Sequence, residues 1–369
     1  MRETRDPLSF VRPDIAMMEP YTPIHPFDVL AQRLDRAPED IIKLDANENP
    51  YGPSPRVLEA LADLRYVHIY PDPESRALRA ALSEFLDLPE GVLLAGAGAD
   101  ELLDLIMRLF LRPGDAILNC PPTFGMYPFD AAISGSEVVS VPRRADFSLD
   151  MEAVEAAVLE RQPKLLFVTS PNNPDGSWLP DETLERLLAL PVMVVLDEAY
   201  VEFAGMHRSR IALVLERDNL IVLRTFSKLA GLAGLRIGYG AFPAALMPHL
   251  WKIKQPYNVS VAASAAAIAA LGDLDWLLDK IRRIVEERER FAKLLSTISY
   301  LRPYPSESNF ILCKVVGREA EELKLALERE GILIRYYRKP RLMDHVRFTV
   351  GTPEQSDAVV AVLRHLERI

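Results

Sequence analysis

The 369-residue chain is 49% hydrophobic and 26% charged, which excludes a mainly disordered polypeptide. At roughly 150 residues per domain it points to two domains, or to one large α/β body with an appendage. Its formal net charge of −10, from 43 Lys and Arg against 53 Asp and Glu, argues against a general nucleic-acid binder. Cys120 and Cys313 sit in apolar strand-like runs, make neither a metal cluster nor a disulfide framework, and fit a reducing cytoplasm.

The opening MRETRDPLSF is charged and has no apolar core, so no signal peptide is expected. Residues 1–40 read as an irregular, proline-punctuated arm, with the turn-like PYTPIHP at 20–26. KLDANENPYGPSP (43–55) reads as a long loop, followed by helix patterns at 57–64 and 74–86. From residue 91 short apolar runs alternate with helical ones. Strands are predicted at 92–95, 116–120, 137–141, 165–170, 192–197, 220–226 and 236–240, and helices at 100–110, 151–160 and 181–190. Such unalternating strands are buried on both faces, so a mostly parallel, helix-covered sheet is expected. VSVAASAAAIAAL (259–271) is too short and too interrupted for a membrane span and reads as a close-packed helix. After 270 the texture changes to a long charged helix at 273–298, strands near 310–315, 332–337 and 346–351, and helices at 318–330 and from about 354. The expected organisation is an arm at 1–40 that joins part of the small domain, a large domain at 41–270, and a small α+β domain at 271–369.

Candidate chemistry lies beyond the strand ends, where ligands of open α/β sheets bind. DEAY (197–200) ends one strand. Asp197 there can receive a buried cation or merely cap a helix, and Tyr200 can share its direction. TFSKLAGLAGLRIG (225–238) sets Lys228 among hydroxyls and glycines, as a phosphate contact, an amine nucleophile or a surface lysine. Arg236 opens the next strand. GAGADE (96–101) places small residues before a helix whose amides can hold a phosphate. SPNNPDG (170–176) offers Asn172 and Asn173 as amides, or is a hydrogen-bonded turn. The six histidines show no metal-binding spacing and read as structural. There is neither a P-loop nor a GxSxG elbow.

Taken jointly, ENPYG, YPDP, GAGADE, PPTFGMY, SPNNPDG, DEAY, TFSKLAGLAGLRIG and RFTVGTPE resemble, in that order, the fold-type I pyridoxal-phosphate enzymes of aminotransferase class I/II. The resemblance runs from about residue 18 to the C-terminus. PYTPIHP, LDANENPYGPSP, GADE, PPTFGMY and GILIRYY look most like the histidinol-phosphate aminotransferase family. Threonine-phosphate decarboxylases and some aromatic aminotransferases share much of this pattern. A non-catalytic regulator of the same fold is disfavoured by Lys228, by the acidic charge and by the lack of residues for an attached DNA-binding domain. The resemblance implies an α/β/α sandwich with a smaller α+β domain, pyridoxal 5'-phosphate as cofactor, and transfer of an amino group between L-histidinol phosphate and 2-oxoglutarate. It further implies a cytoplasmic homodimer with shared active sites, and no nucleic-acid or membrane partner.

Residue by residue, Lys228 is then the Schiff-base lysine, and Asp197 sits beside the pyridine nitrogen. Asn173 and Tyr200 bond the ring's phenolic oxygen. Phe124 stacks on the ring where many relatives have tyrosine. Ala99, Asp100, Thr225, Ser227 and Arg236 hold the cofactor phosphate, joined by Tyr70 from the other subunit. Arg347 binds the α-carboxylate of the amino-acid partner, and Arg335 and Tyr21 help with the substrate phosphate or the second carboxylate.

Overall fold

The computed structural model describes residues 6–18 and 27–367. A seven-stranded sheet forms the larger body. Its strands in chain order are β2 (Leu93–Gly96), β3 (Ala116–Asn119), β4 (Glu137–Ser140), β5 (Leu165–Thr169), β6 (Met193–Asp197), β7 (Leu220–Thr225) and β8 (Gly238–Ala241), preceded by β1 (Ile42–Leu44), which belongs elsewhere. Across the sheet the order is β2-β8-β7-β6-β5-β3-β4. β8 alone runs antiparallel to its neighbours. Along β5, Leu165 and Phe167 enter the apolar cluster beneath the helix Ala99–Phe110, while Leu166 and Val168 enter the cluster on the opposite face. Both faces are therefore core, which is why these strands show no alternation of polar and apolar residues.

The smaller sheet contains β9 (Leu301–Pro303), β10 (Phe310–Val315), β11 (Ile332–Tyr336) and β12 (His345–Thr349), in the order β1-β11-β12-β10-β9. β1 corrects the loop expected over 43–55. Ile42–Leu44 pair in parallel with Ile332–Ile334, because the proline-rich part of that block begins only at Pro50 and leaves the earlier amides free to bond. The arm is likewise less irregular than expected. Its Phe27–Leu34 segment is helical, and Leu30 packs on Ile41, just before β1, and on Leu333 of β11. The motif PYTPIHP lies outside the described residues. Met126–Ile133 and Met247–Ile253 are helices for which no element was predicted; each contains a proline that masks the helical pattern.

The alanine-rich helix Val261–Leu271 packs on the helices Pro55–Ala62 and Arg76–Leu86 through buried Ala263, Ala266, Ala267 and Ala270. The long helix Leu274–Ser296 lies against β9, β10 and the last helix, Pro353–His365. Among the described residues no single helix is long and apolar enough to cross a membrane. The helices 261–271 and 274–296, taken together, meet at an 81° bend.

Candidate active site

The carboxyl ends of β5, β6 and β7 open into one cavity of about 580 Å³, closed on its other side by β11, β12 and the segment Asp45–Asn47. Register explains the convergence. Thr169 of β5 pairs with Asp197 of β6, and Thr225 of β7 ends the next strand. Because β8 runs the other way, its first residue, Gly238, lies between Thr225 and Gly96 of β2. A Cβ at Gly238 would stand 2.6 Å from the Ala99 amide nitrogen and 3.0 Å from the Arg224 carbonyl, so only glycine lets these segments meet. Gly98, at φ +83°, turns the chain into the helix that starts at Ala99. The amides of Ala99 and Asp100 thus stand at the positive end of a helix dipole. Arg236 lies beside them, its Nη2 2.9 Å from Asp100 Oδ2. Across the cradle, the Thr225 hydroxyl lies 3.0 Å from the Ser227 hydroxyl and caps the short helix Phe226–Leu229.

That short helix presents Lys228, whose Nζ donates to the Ala46 carbonyl at 2.9 Å. Burial, helped by the positive charges of Arg347 and Lys43, pushes its pKa down to about 8. Asp197 is buried. Oδ2 accepts from the Tyr127 hydroxyl at 2.7 Å and Oδ1 from the Ala199 amide at 3.0 Å. Burial outweighs these hydrogen bonds and raises its pKa to about 6. Among the described residues no cation lies within ion-pair distance of it. The Tyr200 hydroxyl lies 3.1 Å from Asn47 Nδ2 and 3.5 Å from Asn173 Nδ2. Burial raises its pKa to about 12, against the pull of Arg347. Phe124 lines the same cavity and meets Tyr127 edge-on at 5.5 Å between ring centres.

Arg347 reaches in from β12. Nη1 donates to Asn173 Oδ1 at 2.6 Å and Nη2 to the Asp45 carbonyl at 2.8 Å, while Nε is buried with no hydrogen-bond partner among the described residues. Arg335, its cross-strand neighbour on β11, also lines the cavity. Of the residues singled out from the sequence, all but three thus reach this cavity: Asn172 is buried behind it, its Nδ2 donating to the Pro122 carbonyl at 3.1 Å. Tyr70 is 79% exposed, stacked on Tyr257 at 4.7 Å, and outside the cavity of its own chain. Tyr21 lies outside the described residues.

Three further contributors went unassigned in the sequence. Asn47 bonds Tyr200 from within the DANENP block. Tyr127 bonds both Asp197 and Thr169, the latter at 2.7 Å. Lys339 lines the cavity. The block containing Asn47 and the aromatic run containing Tyr127 were visible as motifs, but their roles depend on strands far along the chain.

A buried carboxylate with no cation among the described residues is suited to receive one, and the protonated ring nitrogen that the resemblance implies is such a cation. An amine of lowered pKa calls for a carbonyl carbon. Amides at a helix start with an adjacent arginine call for a phosphate. The donor set therefore fits a phosphorylated heteroaromatic aldehyde, with Phe124 available to its ring.

The model of the aminotransferase class I and II family matches residues 39–363. The chloroplastic histidinol-phosphate aminotransferase of Nicotiana tabacum is 56% identical over 358 residues, covering 97% of this chain and 86% of that protein. The histidinol-phosphate aminotransferase of Roseiflexus castenholzii is 54% identical over 365 residues, covering 96% of this chain and 98% of that protein. Among solved structures, histidinol-phosphate aminotransferase from Sinorhizobium meliloti in complex with pyridoxal-5'-phosphate is similar with a TM-score of 0.88. It is 31% identical, and the match covers 97% of this chain and 98% of that one.

Proposed function

The chain belongs to the class I and II aminotransferases and, within them, to the histidinol-phosphate aminotransferases, and on that premise we propose how its residues divide the work. The reaction exchanges an amino group between L-histidinol phosphate and 2-oxoglutarate, giving imidazole acetol phosphate and L-glutamate. Its cofactor, pyridoxal 5'-phosphate, supplies when bound a carbonyl carbon for the substrate amine and a protonated ring that draws electrons from the substrate's Cα.

Asp197 keeps the proton on the ring nitrogen, an ion pair that its burial without another cation supports. Ala99 and Asp100 amides, the Thr225 and Ser227 hydroxyls and Arg236 hold the cofactor phosphate. Asn173 and Tyr200 hold the phenolic oxygen, and Phe124 covers the ring. Lys228, with a pKa near 8, is unprotonated in a useful fraction at neutral pH, the form in which an amine bonds to a carbonyl carbon or takes the proton from the substrate's Cα. Arg347 clamps the α-carboxylate of glutamate or 2-oxoglutarate in the two-pronged geometry that lysine cannot copy. Arg335, with Tyr21, helps hold the phosphate of histidinol phosphate or the second carboxylate of the dicarboxylic acid. Tyr70 completes the cofactor phosphate site of a second subunit in a homodimer, a reading supported by its exposure outside its own cavity. The buried, unpaired Cys120 and Cys313 support work in a reducing compartment, taken to be the cytoplasm.

The observation that carries this reading is the meeting, in one cavity, of a carboxylate without a cation and a lysine of lowered pKa. A substrate panel with cofactor-loaded protein tests it. Histidinol phosphate is the best amine donor and glutamate accumulates. Faster turnover of an aromatic amino acid, or CO2 release from threonine phosphate without a keto-acid acceptor, overturns it.

A further inference from the structure

The connection between β11 and β12 is strongly basic, and its charges are unequally used. Arg338 pairs with Glu321 on the helix Ala320–Arg329, its Nε 3.0 Å from Oε1. Arg341 crosses to the larger body and donates to the main-chain carbonyls of Arg143 and Arg144, the latter at 2.7 Å. The connection is thereby pinned at two points, one on each body. Lys339 lies between the pins and lines the cavity. Among the described residues no carboxylate stands within ion-pair distance of it. Its amine rests over Gly125, where a Cβ would sit 3.2 Å from Nζ, so the missing side chain leaves the amine room. Arg335 lines the same cavity, again with no carboxylate at ion-pair distance among the described residues. Its guanidinium is 5.6 Å from the Tyr337 ring centre.

Two cations facing one space without a counter-ion repel each other until an anion enters. A phosphate ester carries roughly −1.5 to −2 charge at neutral pH and three acceptor oxygens, enough for both cations. The far carboxylate of a dicarboxylic acid carries a single charge and needs only one. We propose that Lys339 is a second cation for the substrate's phosphate, acting beside Arg335 and favouring the phosphate ester over substrates without one. The assignment rests on the reading of Arg335 as a residue that meets the substrate's phosphate.

The test compares cofactor-loaded wild type with Lys339→Met and Lys339→Arg. The ratio of kcat/KM for histidinol phosphate to that for histidinol isolates what the phosphate contributes. In Lys339→Met this ratio falls roughly tenfold, the size expected of one exposed charge-assisted contact. The loss resides in KM, and Lys339→Arg restores most of it. An unchanged ratio, or an equal loss on both substrates, overturns the assignment. Inorganic phosphate gives a readout without turnover. Titrated against the loaded protein and followed by phosphorus NMR, it binds more weakly to Lys339→Met than to wild type; equal affinity again overturns the proposal. A wild-type enzyme unable to use histidinol phosphate would strike down the reaction assigned above, and the phosphate titration would still decide the role of Lys339.

Discussion

Arg347 of the small sheet donates to Asn173 of the large body at 2.6 Å, so the substrate clamp and the loop after β5 are held by one hydrogen bond. A shift of either body is felt at both residues. Replacing Arg347→Lys keeps a charge but loses the planar fork. The expected cost in kcat/KM for glutamate is about 10- to 100-fold, as for loss of one or two charge-assisted hydrogen bonds. Cofactor absorbance should be retained, because the phosphate cradle lies on the other side of the cavity. Loss of the cofactor band in Arg347→Lys would contradict this division.

Lys228→Ala removes both the amine that bonds the carbonyl carbon and the base that moves the Cα proton. Turnover should fall by more than the roughly 10²–10⁴ usual for a single acid–base group. Borohydride reduction of loaded wild type, followed by peptide mapping, should place the pyridoxyl group on Lys228. A label on another lysine would refute the residue assignment.

Asp197 holds its proton more tightly in the folded chain, at about 6, than the 3.8 of an unperturbed aspartate. Between those values the folded state carries more protons than the unfolded one, so stability falls as pH climbs through that window and stays lower above it. In cofactor-free protein, Asp197→Asn should therefore raise stability at neutral pH by up to about 3 kcal/mol, since a tenfold change in proton affinity is worth about 1.4 kcal/mol. The gain should vanish below about pH 4. Cofactor affinity should fall in the same variant. Thermal melts across pH, with and without cofactor, separate the two effects. A variant less stable than wild type at neutral pH would count against the unpaired charge.

The lowered pKa of Lys228 sets a second pH dependence. Only the unprotonated amine attacks a carbonyl carbon, so cofactor uptake by the cofactor-free protein should accelerate with pH around a midpoint near 8, not near 10.5. Arg347 contributes to the lowering, so Arg347→Met should move the midpoint upward. Stopped-flow absorbance reads both. A midpoint that Arg347→Met leaves in place would remove Arg347 from the account.

Tyr70→Phe should weaken cofactor binding by roughly 0.5–3 kcal/mol, the range for one hydrogen bond to a neutral or charged partner. The fold should survive, since the ring stacked on Tyr257 is kept. Mixing Tyr70→Phe with Lys228→Ala under subunit exchange places both changes in one site of a mixed dimer and neither in the other. Activity should rise above that of either parent. No recovery, given proven exchange and a measurable Tyr70→Phe defect, would show that Tyr70 does not serve its neighbour.

The sequence disclosed those parts of the fold that local chemistry controls. β5, β6 and β7 are continuous apolar runs because both of their faces are core, and Asp197, Thr225 and Lys228 follow from where those runs stop. β1 was hidden because its three residues become a strand only by pairing with β11, some 290 positions later in the chain. Tyr127 looked like one aromatic among several in PPTFGMY. Its hydrogen bond to Asp197 spans 70 positions, and nothing nearby in the chain reports it. Pro128 within the helix Met126–Ile133 concealed that element by the same local logic. Lys339 was one basic residue among four until its neighbours were seen to be engaged elsewhere.

The reversed strand β8 has a consequence for how such a chain can change. It gathers the ends of β2 and β7 around Gly238, so this chain's own share of the cradle assigned to the cofactor is assembled within residues 96–238, with Tyr70 added from a second subunit, while the cations assigned to the substrate's anions come from residues 335–347. The two tasks occupy separate stretches of the gene. Variation after residue 330 can retarget the enzyme to a new amine while the cofactor's seat is inherited intact. Variation at Gly238 has no such freedom, since any side chain there would push against the main chain of the cradle itself.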